Sequence, residues 1–209
     1  MRDIRNIVFD LGGVIVDLDI QASIQAFSKI MVRPVSTMEE AINSLRPLMH
    51  AMDVGEMSAE TFIGIMKSQC HPDVTDGEIV GAFNRILRLP YHRLQWLKEL
   101  KKHYRVYLLS NIGDIHWTET LTKSRELGVD FPLCFDETFL SYKLKLAKPD
   151  LRIYEKLIES TGIRPDETLY IDDLPDNIEA GRKMGLISKQ ISTNTLDTEL
   201  PKLFPKILL

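Results

Sequence analysis

Short apolar runs that each end in a polar residue constrain the fold of this chain more than any other feature of its sequence. The clearest are residues 7–9 before Asp10, residues 106–109 before Ser110, and residues 168–171 before Asp172. Continuous apolar runs of this length are typical of strands buried on both faces of a parallel sheet. Weaker candidates for further strands are residues 186–188 and 133–135.

Amphipathic helical patterns separate these runs. They extend from Tyr91 to His103, from Asp150 to Ser160 and from Pro175 to Met184. Each carries apolar residues on one face, as helices that pack on a core do. Strands that alternate with helices favour an α/β fold. The sequence therefore predicts a Rossmann-like parallel sheet flanked by helices.

The stretch after the first strand candidate contains helical patterns only. They cover Ile20–Met31, Ser36–Leu48, Ser58–Ser68 and Thr75–Leu87. Ser36 and Ser58 are predicted N-caps, and Glu39 follows Ser36 at the spacing of a capping box. We therefore predict a small all-helical cap, residues 17–87, inserted into a core domain formed by residues 1–16 and 88–209. The tail after Asn194, which contains two prolines, is predicted to be a surface segment.

Composition limits the classes of partner. The 209 residues are 44% hydrophobic, and their formal net charge is -4. This balance is typical of a soluble globular protein, and the scattered basic residues argue against nucleic-acid binding. No window approaches the ~20 apolar residues of a membrane helix, and the N-terminus lacks the apolar region of a signal peptide. We therefore expect a cytoplasmic protein with no membrane partner; the oligomeric state is left open.

The two cysteines are too few for a disulfide framework. Cys70 and Cys134 do not form a CxxC pair. We predict that both are small, buried, apolar side chains.

Polar residues that end separate strands are expected to meet at one edge of the sheet, because ligands of parallel α/β sheets bind at the carboxyl ends of the strands. The residues placed there are Asp10, Ser110, Asn111, Asp172 and Asp173, with Lys148 at the start of a helix. Taken one at a time, the occurrence of each of these residues is explained by turn formation or helix capping. Their joint occurrence in this order favours a reaction site.

Three converging carboxylates need a counter-charge, because like charges at short range are costly. Mg²⁺ fits, since it binds one or two carboxylates, waters and a substrate phosphate. A carboxylate beside the metal can attack phosphorus and form an aspartyl-phosphate. Ser110 and Lys148 would donate to the phosphoryl oxygens, and Gly12 and Gly13 let backbone N–H groups approach the phosphate.

At this point the sequence resembles the haloacid dehalogenase superfamily over essentially its whole length. The four motifs of that superfamily correspond to residues 8–14 (VFDLGGV), 108–111 (LLSN), 147–150 (AKPD) and 171–173 (IDD). The resemblance implies that Asp10 is the nucleophile and a metal ligand. It also implies that Ser110 and Lys148 hold the phosphate, with Asn111 nearby.

The resemblance further implies how the metal and the substrate are bound. Asp173 would bind Mg²⁺ directly and Asp172 directly or through water, while the carbonyl of Gly12 could add a ligand. The helical insert resembles the family's small cap, which closes over the site and selects the substrate. These roles describe a Mg²⁺-dependent phosphoric monoester hydrolase whose partner is a small phosphorylated metabolite.

Within the superfamily the chain is similar to bacterial α-glucose-1-phosphatases. The similarity lies in residues 10–17, in Gly55-Glu56-Met57-Ser58, and in Leu109-Ser110-Asn111 with His116 and Trp117 downstream. It suggests a sugar phosphate as the substrate and makes His116 a candidate for substrate binding.

One position departs from the family pattern. The second aspartate of the first motif usually acts as general acid and base, and here that position is Gly12. General acid–base catalysis is worth about 10²–10⁴-fold, so its loss matters. An anomeric leaving group would fit this loss, because it departs more readily. Candidate substitutes are Asp17, Asp19, Asp114 and His116, although each taken singly is better explained as a solvated loop residue.

Other functions fit the sequence less well. Halide-removing members of the superfamily do not require the acidic pair at residues 172–173, and a phosphomutase would need the missing acid–base group. A phospho-accepting receiver domain has its acidic pair near the N-terminus, which is the reverse of the order seen here. The alternative that stays open is a degenerate member that binds a phosphorylated ligand with little or no turnover, which Gly12 supports.

Overall fold

The computed structural model of the chain describes residues 4–33 and 37–208. In chain order its strands are β1 (Asn6–Phe9), β2 (Asp17–Leu18), β3 (Leu87–Arg88), β4 (Arg105–Ser110), β5 (Glu137–Leu140), β6 (Thr168–Asp172) and β7 (Ile187–Gln190). Five of them form a sheet in the order β5-β4-β1-β6-β7, with every neighbouring pair parallel. β1 is therefore the central strand, while β2 and β3 form a separate antiparallel pair.

Helices surround this sheet. They are α1 (Ile20–Ile30), α2 (Met38–Asp53), α3 (Ala59–Lys67), α4 (Asp76–Asn84), α5 (Tyr91–Leu100), α6 (Asp114–Glu126), α7 (Ser141–Leu144), α8 (Leu151–Thr161), α9 (Pro175–Lys183), α10 (Leu196–Leu203) and α11 (Pro205–Leu208). The predicted fold class, a Rossmann-like parallel sheet flanked by helices, is confirmed. None of the helices among the described residues is long and apolar enough to cross a membrane.

The central strands are buried on both faces, as their apolar sequences require. Ile7 and Phe9 pack in one apolar cluster that also includes side chains of α5 and α10, whereas Val8 packs in a second cluster with side chains of α8 and α9. Successive residues of a strand point to opposite faces of the sheet. A strand that lies between two helical layers therefore needs apolar residues that point to both faces of the sheet.

The four helices α1–α4, called the cap helices below, lie between β2 and β3 and have an apolar cluster of their own. Phe27, Phe62 and Ile79 are at the centre of this cluster, and Ile115 of α6 joins it from the core. The cap helices thus rest on the carboxyl-end side of β4, where α6 begins. The β2–β3 pair brackets these helices, and the division into a cap of residues 17–87 and a core of residues 1–16 and 88–209 stays a prediction.

The helix starts in this region follow the expected capping chemistry. Ser58 caps α3, because its hydroxyl accepts the backbone N–H of Thr61 at 3.2 Å. Thr75 and Glu78 form a reciprocal capping box at α4. The predicted cap at Ser36, with its capping box, lies outside the described residues.

Two expectations for secondary structure are wrong. Residues 131–134 form a 3₁₀ helix rather than a strand, and Leu133 is 71% exposed. The strand lies farther on, at β5, where only one neighbour is paired and the apolar run is correspondingly short. Asp114 and His116 lie in helix α6, not in a loop.

The tail also differs from the prediction, because it forms helices that pack on the core. Leu196, Leu200 and Phe204 recur every four residues and are buried against the sheet. This spacing places them on one face of α10 and its end, a pattern that outweighs Pro201 within the helix. The two cysteines are free and buried, as predicted.

Arg93 of α5 ties the loop after β1 to this tail. Its side chain is 1% exposed and donates to the carbonyls of Val14 and Ile15 at 3.0 and 3.2 Å. It also pairs with the carboxylates of Asp17 and Asp197, each at 2.7 Å. The loop that follows Asp10 is therefore held by a buried guanidinium whose charge is compensated by two carboxylates.

We expect Arg93→Met to lower the free energy of unfolding by about 1–3 kcal/mol, because two carbonyls lose their buried donor. Urea denaturation at neutral pH measures the effect. Arg152→Met is the matched control: Arg152 pairs with Asp150 on the surface, so its loss should leave the free energy of unfolding nearly unchanged. Equal stability of the two variants would contradict a bracing role for Arg93.

Candidate active site

Three carboxylates meet at the carboxyl ends of β1 and β6. These adjacent strands pair in register, Phe9 with Ile171, so Asp10 follows one strand where Asp172 ends the other. Asp10, Asp172 and Asp173 can each offer an oxygen such that the three oxygens lie within 4.8 Å of one another. The sheet register thus brings together residues that are more than 160 positions apart in the sequence.

Lys148 lies between two of these carboxylates. Its Nζ is 2.8 Å from Oδ1 of Asp10 and 2.7 Å from Oδ2 of Asp172, and its side chain is 1% exposed. Asn111 fixes the backbone of Lys148 at both ends: its Nδ2 donates to the Lys148 carbonyl, and its Oδ1 accepts the Lys148 N–H, each at 2.8 Å. Asn111, proposed from the sequence to bind substrate, therefore has a positioning contact with the lysine.

Asp172 is held by several donors besides Lys148. It accepts hydrogen bonds from the Tyr170 hydroxyl, from Nδ2 of Asn177 at 3.1 Å and from the backbone N–H of Leu174 at 2.9 Å. The side chain is fully buried. Asp173 is held differently, by the hydroxyl of Thr193 at 2.7 Å. Asp172 is therefore the rigid anchor of the cluster, whereas Asp173 faces the β7 side.

Burial and neighbouring charges set the protonation of the cluster. Burial raises the pKa of Asp10 to about 7, with Lys148 opposing the rise and Asp172 adding to it. Burial also disfavours charge on Asp172, but the adjacent lysine outweighs it and lowers the pKa of Asp172. Burial opposes the charge of Lys148 as well, yet Asp10 and Asp172 together raise its pKa. Lys148 is therefore a permanent cation.

The three carboxylates and the one lysine fit a divalent cation. Fully ionised, the carboxylates carry three negative charges and Lys148 offsets one, which leaves two. Burial raises the pKa of Asp173 too, so full ionisation needs a further positive charge. Carboxylate oxygens are the ligands that Mg²⁺ prefers. The donor set therefore fits Mg²⁺. Lys148 bridges Asp10 and Asp172, and it has no salt bridge to Asp173 among the described residues.

The two glycines of the first motif differ in the space around them. Gly13 has φ +75°, and a Cβ there would stand 2.5 Å from Oδ2 of Asp173. A side chain at this position is excluded by the positive φ angle and by the close contact with the Asp173 carboxylate. At Gly12 a Cβ would meet only the Leu18 side chain, at 3.6 Å, which is an ordinary contact. The fold would thus accept a side chain at Gly12.

Ser110 ends β4 beside this cluster and is 1% exposed, so its place matches the sequence prediction. His116 is placed elsewhere: its ring stacks on Phe83 of α4 at 4.0 Å between centroids, and its Nε2 lies 3.4 Å from the Phe83 carbonyl. Burial lowers the pKa of His116 to about 4. Its contacts are those of a neutral packing residue between core and cap.

The candidate acid–base substitutes from the loop after β1 are also engaged elsewhere. Asp17 pairs with Arg93, and Asp19 caps α1 by accepting the N–H of Ala22 at 3.0 Å. Both contacts belong to the fold of the loop and the helix start. Neither residue contacts the Asp10 cluster in the part of the chain that the structure describes.

Asp53, which sequence reasoning missed, faces the site from the cap. It is the last residue of α2 and lines a cavity of about 550 Å³ between the cap helices and the core. Two lining residues connect this cavity to the carboxylate cluster: the Leu18 side chain lies beside Gly12, and the backbone N–H of Leu174 donates to Asp172. The only hint in the sequence was its place two residues before Gly55, where the segment similar to α-glucose-1-phosphatases begins.

The electrostatic environment of Asp53 links it to the cluster. Burial raises its pKa to about 7; the backbone of Gly113 lowers it by hydrogen bonding, and the charge of Asp10 adds to the rise. Gly113 lies three residues after Ser110, at the same edge of the sheet as Asp10. Asp53 is thus a cap residue at the carboxyl ends of the core strands.

Comparison with known proteins agrees with this geometry. Residues 4–185 match the family model described as haloacid dehalogenase-like hydrolase. A relative named D-ribitol-5-phosphate phosphatase, from Bacteroides thetaiotaomicron, is 32% identical over 87% of this chain and 89% of its own length.

Solved structures give the same result. A haloacid dehalogenase family enzyme of Bacteroides thetaiotaomicron has a TM-score of 0.87 at 29% identity, covering 97% of this chain and 99% of that one. The same enzyme was crystallised with magnesium and inorganic phosphate; that structure has a TM-score of 0.85 at 30% identity and covers 94% and 98% of the two chains. The family model and this relative together establish that the chain belongs to the haloacid dehalogenase-like hydrolases.

Proposed function

We propose that this hydrolase is a Mg²⁺-dependent phosphatase of small phosphorylated metabolites, with Asp10 as the nucleophile. The observation that carries the proposal is the convergence of Asp10, Asp172 and Asp173 at one point, with Lys148 bridging the first two. Three carboxylates with a cation suit a metal ion and a phosphoryl group better than a neutral substrate. The relative named as a phosphatase supports this reading.

The reaction begins with Asp10. One oxygen of Asp10 is held by Lys148, which leaves the other to attack phosphorus and form an aspartyl-phosphate. Mg²⁺ bound by Asp10, Asp173 and Asp172 would neutralise charge on the phosphoryl oxygens and favour the ionised form of Asp10. Ser110 and Lys148 donate to the phosphoryl oxygens. Water then attacks the phosphorus of the intermediate and releases inorganic phosphate.

We propose a polyol or sugar phosphate as the substrate. A cavity of about 550 Å³ between cap and core is large enough for such a molecule. Arg46, His50 and Asp53 of α2 line it and can bind hydroxyl groups, while the remaining lining is largely apolar. The relative is named as a phosphatase of D-ribitol 5-phosphate, whose phosphate is an ester of a primary alcohol. We therefore expect esters of primary alcohols to be among the substrates.

The alternative, ligand binding without turnover, is not favoured. It was based on the absence of an acid–base group at Gly12, whereas the nucleophile, lysine and acidic pair are complete. A complete set of charged residues is costly to bury. The presence of these buried charged groups is explained if they act on a phosphate group.

A turnover assay tests the proposal. We expect the wild-type protein to hydrolyse 4-nitrophenyl phosphate in the presence of Mg²⁺. A chelator should abolish this activity, and added Mg²⁺ should restore it. A panel that includes D-ribitol 5-phosphate and α-glucose 1-phosphate then ranks the metabolites by kcat/KM. Magnesium binding is checked separately by calorimetry. Absence of turnover for every ester, in protein that binds magnesium, would contradict a phosphatase and support the binding alternative.

A further inference from the structure

The proposed reaction lacks one component on the core domain. The alcohol that leaves must gain a proton, and the water that attacks the intermediate must lose one. Gly12 supplies neither function. A primary alcohol is a poor leaving group, so a polyol phosphate would make the need for an acid greater than an anomeric phosphate would.

Contacts elsewhere engage three of the four candidate substitutes named from the sequence; the fourth, Asp114, is the first residue of α6. Asp17 is tied to Arg93, and Asp19 is tied to the start of α1. His116 is stacked on Phe83 and is neutral. Asp172 already accepts from four donors, one of which is Lys148.

Three contacts fix the end of α2, and with it Asp53, over the site. Gly113 packs against Met52, since a Cβ on Gly113 would stand 3.1 Å from the Met52 Cβ. Nζ of Lys145 donates to the carbonyl of Gly55. Asp53 itself interacts with the backbone of Gly113. This end of the helix is therefore positioned by the loop after β4 and by α7.

We propose that Asp53, supplied by the cap, is the general acid and base in place of the residue missing at Gly12; the inference rests on the proposed phosphatase function. Its carboxylic acid gives a proton to the bridging oxygen as the P–O bond breaks and the new bond to Asp10 forms. The alcohol leaves neutral. The Asp53 carboxylate then takes a proton from the attacking water, which regenerates the acid and frees Asp10 and phosphate.

Its protonation suits both steps. A pKa of about 7 leaves acid and base forms populated at neutral pH, the condition under which one group serves both directions. The other charged or titratable groups that line the same cavity are Arg46 and His50 on α2. Asp10 does not line the cavity, but its charge acts on Asp53 from the core. His50 is exposed and is the rival proton donor.

The test compares esters whose leaving groups differ in their need for a proton. We expect Asp53→Asn to lower kcat/KM for phenyl phosphate by about 10²-fold or more, because phenoxide leaves poorly without an acid. For 2,4-dinitrophenyl phosphate, whose leaving group needs no proton, kcat/KM should change less than about 3-fold. With the second ester, hydrolysis of the intermediate should become slow, and a burst of dinitrophenol should appear.

Two further variants sharpen the test. Asp53→Glu should recover part of the activity on phenyl phosphate. Gly12→Asp combined with Asp53→Asn should also recover activity, because a side chain at Gly12 meets only Leu18. His50→Gln should leave the difference between the two esters as in the wild type.

The outcomes separate the two proposals. Equal losses on both esters in Asp53→Asn would assign Asp53 to cap structure and overturn the inference. A selective loss on phenyl phosphate in His50→Gln, with none in Asp53→Asn, would overturn it in favour of His50. Wild-type protein that hydrolyses neither ester would refute the phosphatase function itself, and the inference with it.

Discussion

Asp10→Asn is expected to lower kcat for any phosphate ester by roughly 10⁴-fold or more, because the amide cannot form the acyl-phosphate bond. The variant keeps the size and most hydrogen-bonding capacity of the side chain. It removes one of the two carboxylates that Lys148 contacts, while Asp172 stays at 2.7 Å from the lysine. We therefore expect a folded protein without turnover. Steady-state assays with 4-nitrophenyl phosphate measure the loss.

The control for this variant is Asp73→Asn, which removes an exposed carboxylate from the segment between the cap helices α3 and α4. Its activity should equal that of the wild type. Thermal melts of both variants establish that the proteins are folded. A second measurement follows the covalent step directly: mass spectrometry after acid quenching should find a phosphoryl group on wild-type protein and none on Asp10→Asn. Substantial turnover by folded Asp10→Asn would exclude Asp10 as the nucleophile.

Lys148→Met is expected to have the second-largest effect, on both activity and stability. It leaves Asp10 and Asp172 close together and buried without a counter-charge. Breaking a buried pair in this way costs about 3–5 kcal/mol. The loss of a donor to the transferring phosphoryl group should lower kcat by about 10²–10³-fold. Urea denaturation and assays at saturating ester measure the two effects.

The pH dependence of this loss has a definite sign. Lys148 lowers the pKa of Asp172, so the pair contributes stability above the ordinary carboxyl pKa, and this contribution is lost as the pH falls through the lowered value. The stability difference between wild type and Lys148→Met should therefore be largest near neutral pH and shrink in acid. The control is Lys143→Met, an exposed lysine of α7. Equal stability of all three proteins at neutral pH would rule out the bridging role.

The fold class and the core strands were predictable because they depend on local sequence. A strand covered by helices on both faces must carry apolar residues on both faces, so the centres of β1, β4 and β6 are visible as short apolar runs in the sequence. The motif residues follow these strands directly, and parallel strands end at one edge of the sheet. The meeting of Asp10 with Asp172 and Asp173 therefore follows from strand order and needs no knowledge of side-chain positions.

Elements with fewer packing constraints were predicted less well. The edge strand β5 pairs on one side only and carries no long apolar run, so the neighbouring Leu133 run was mistaken for it. In the tail, prolines suggested a surface segment, but Leu196 and Leu200 bury a face against the sheet. Packing of an apolar face thus outweighed local propensity in α10.

By itself the sequence determined the α/β fold and the hydrolase family, and it placed Asp10, the proposed nucleophile, at a strand end. Those features depend on periodicity and on chain order. Only the tertiary structure decided that Lys148 bridges two carboxylates, that Asn111 holds the lysine backbone, and that His116 packs against Phe83. It also decided that Asp53 faces the site from the cap. These relations join residues far apart in the chain, and the free energy of such contacts depends on burial and distance, which no local pattern of residues encodes.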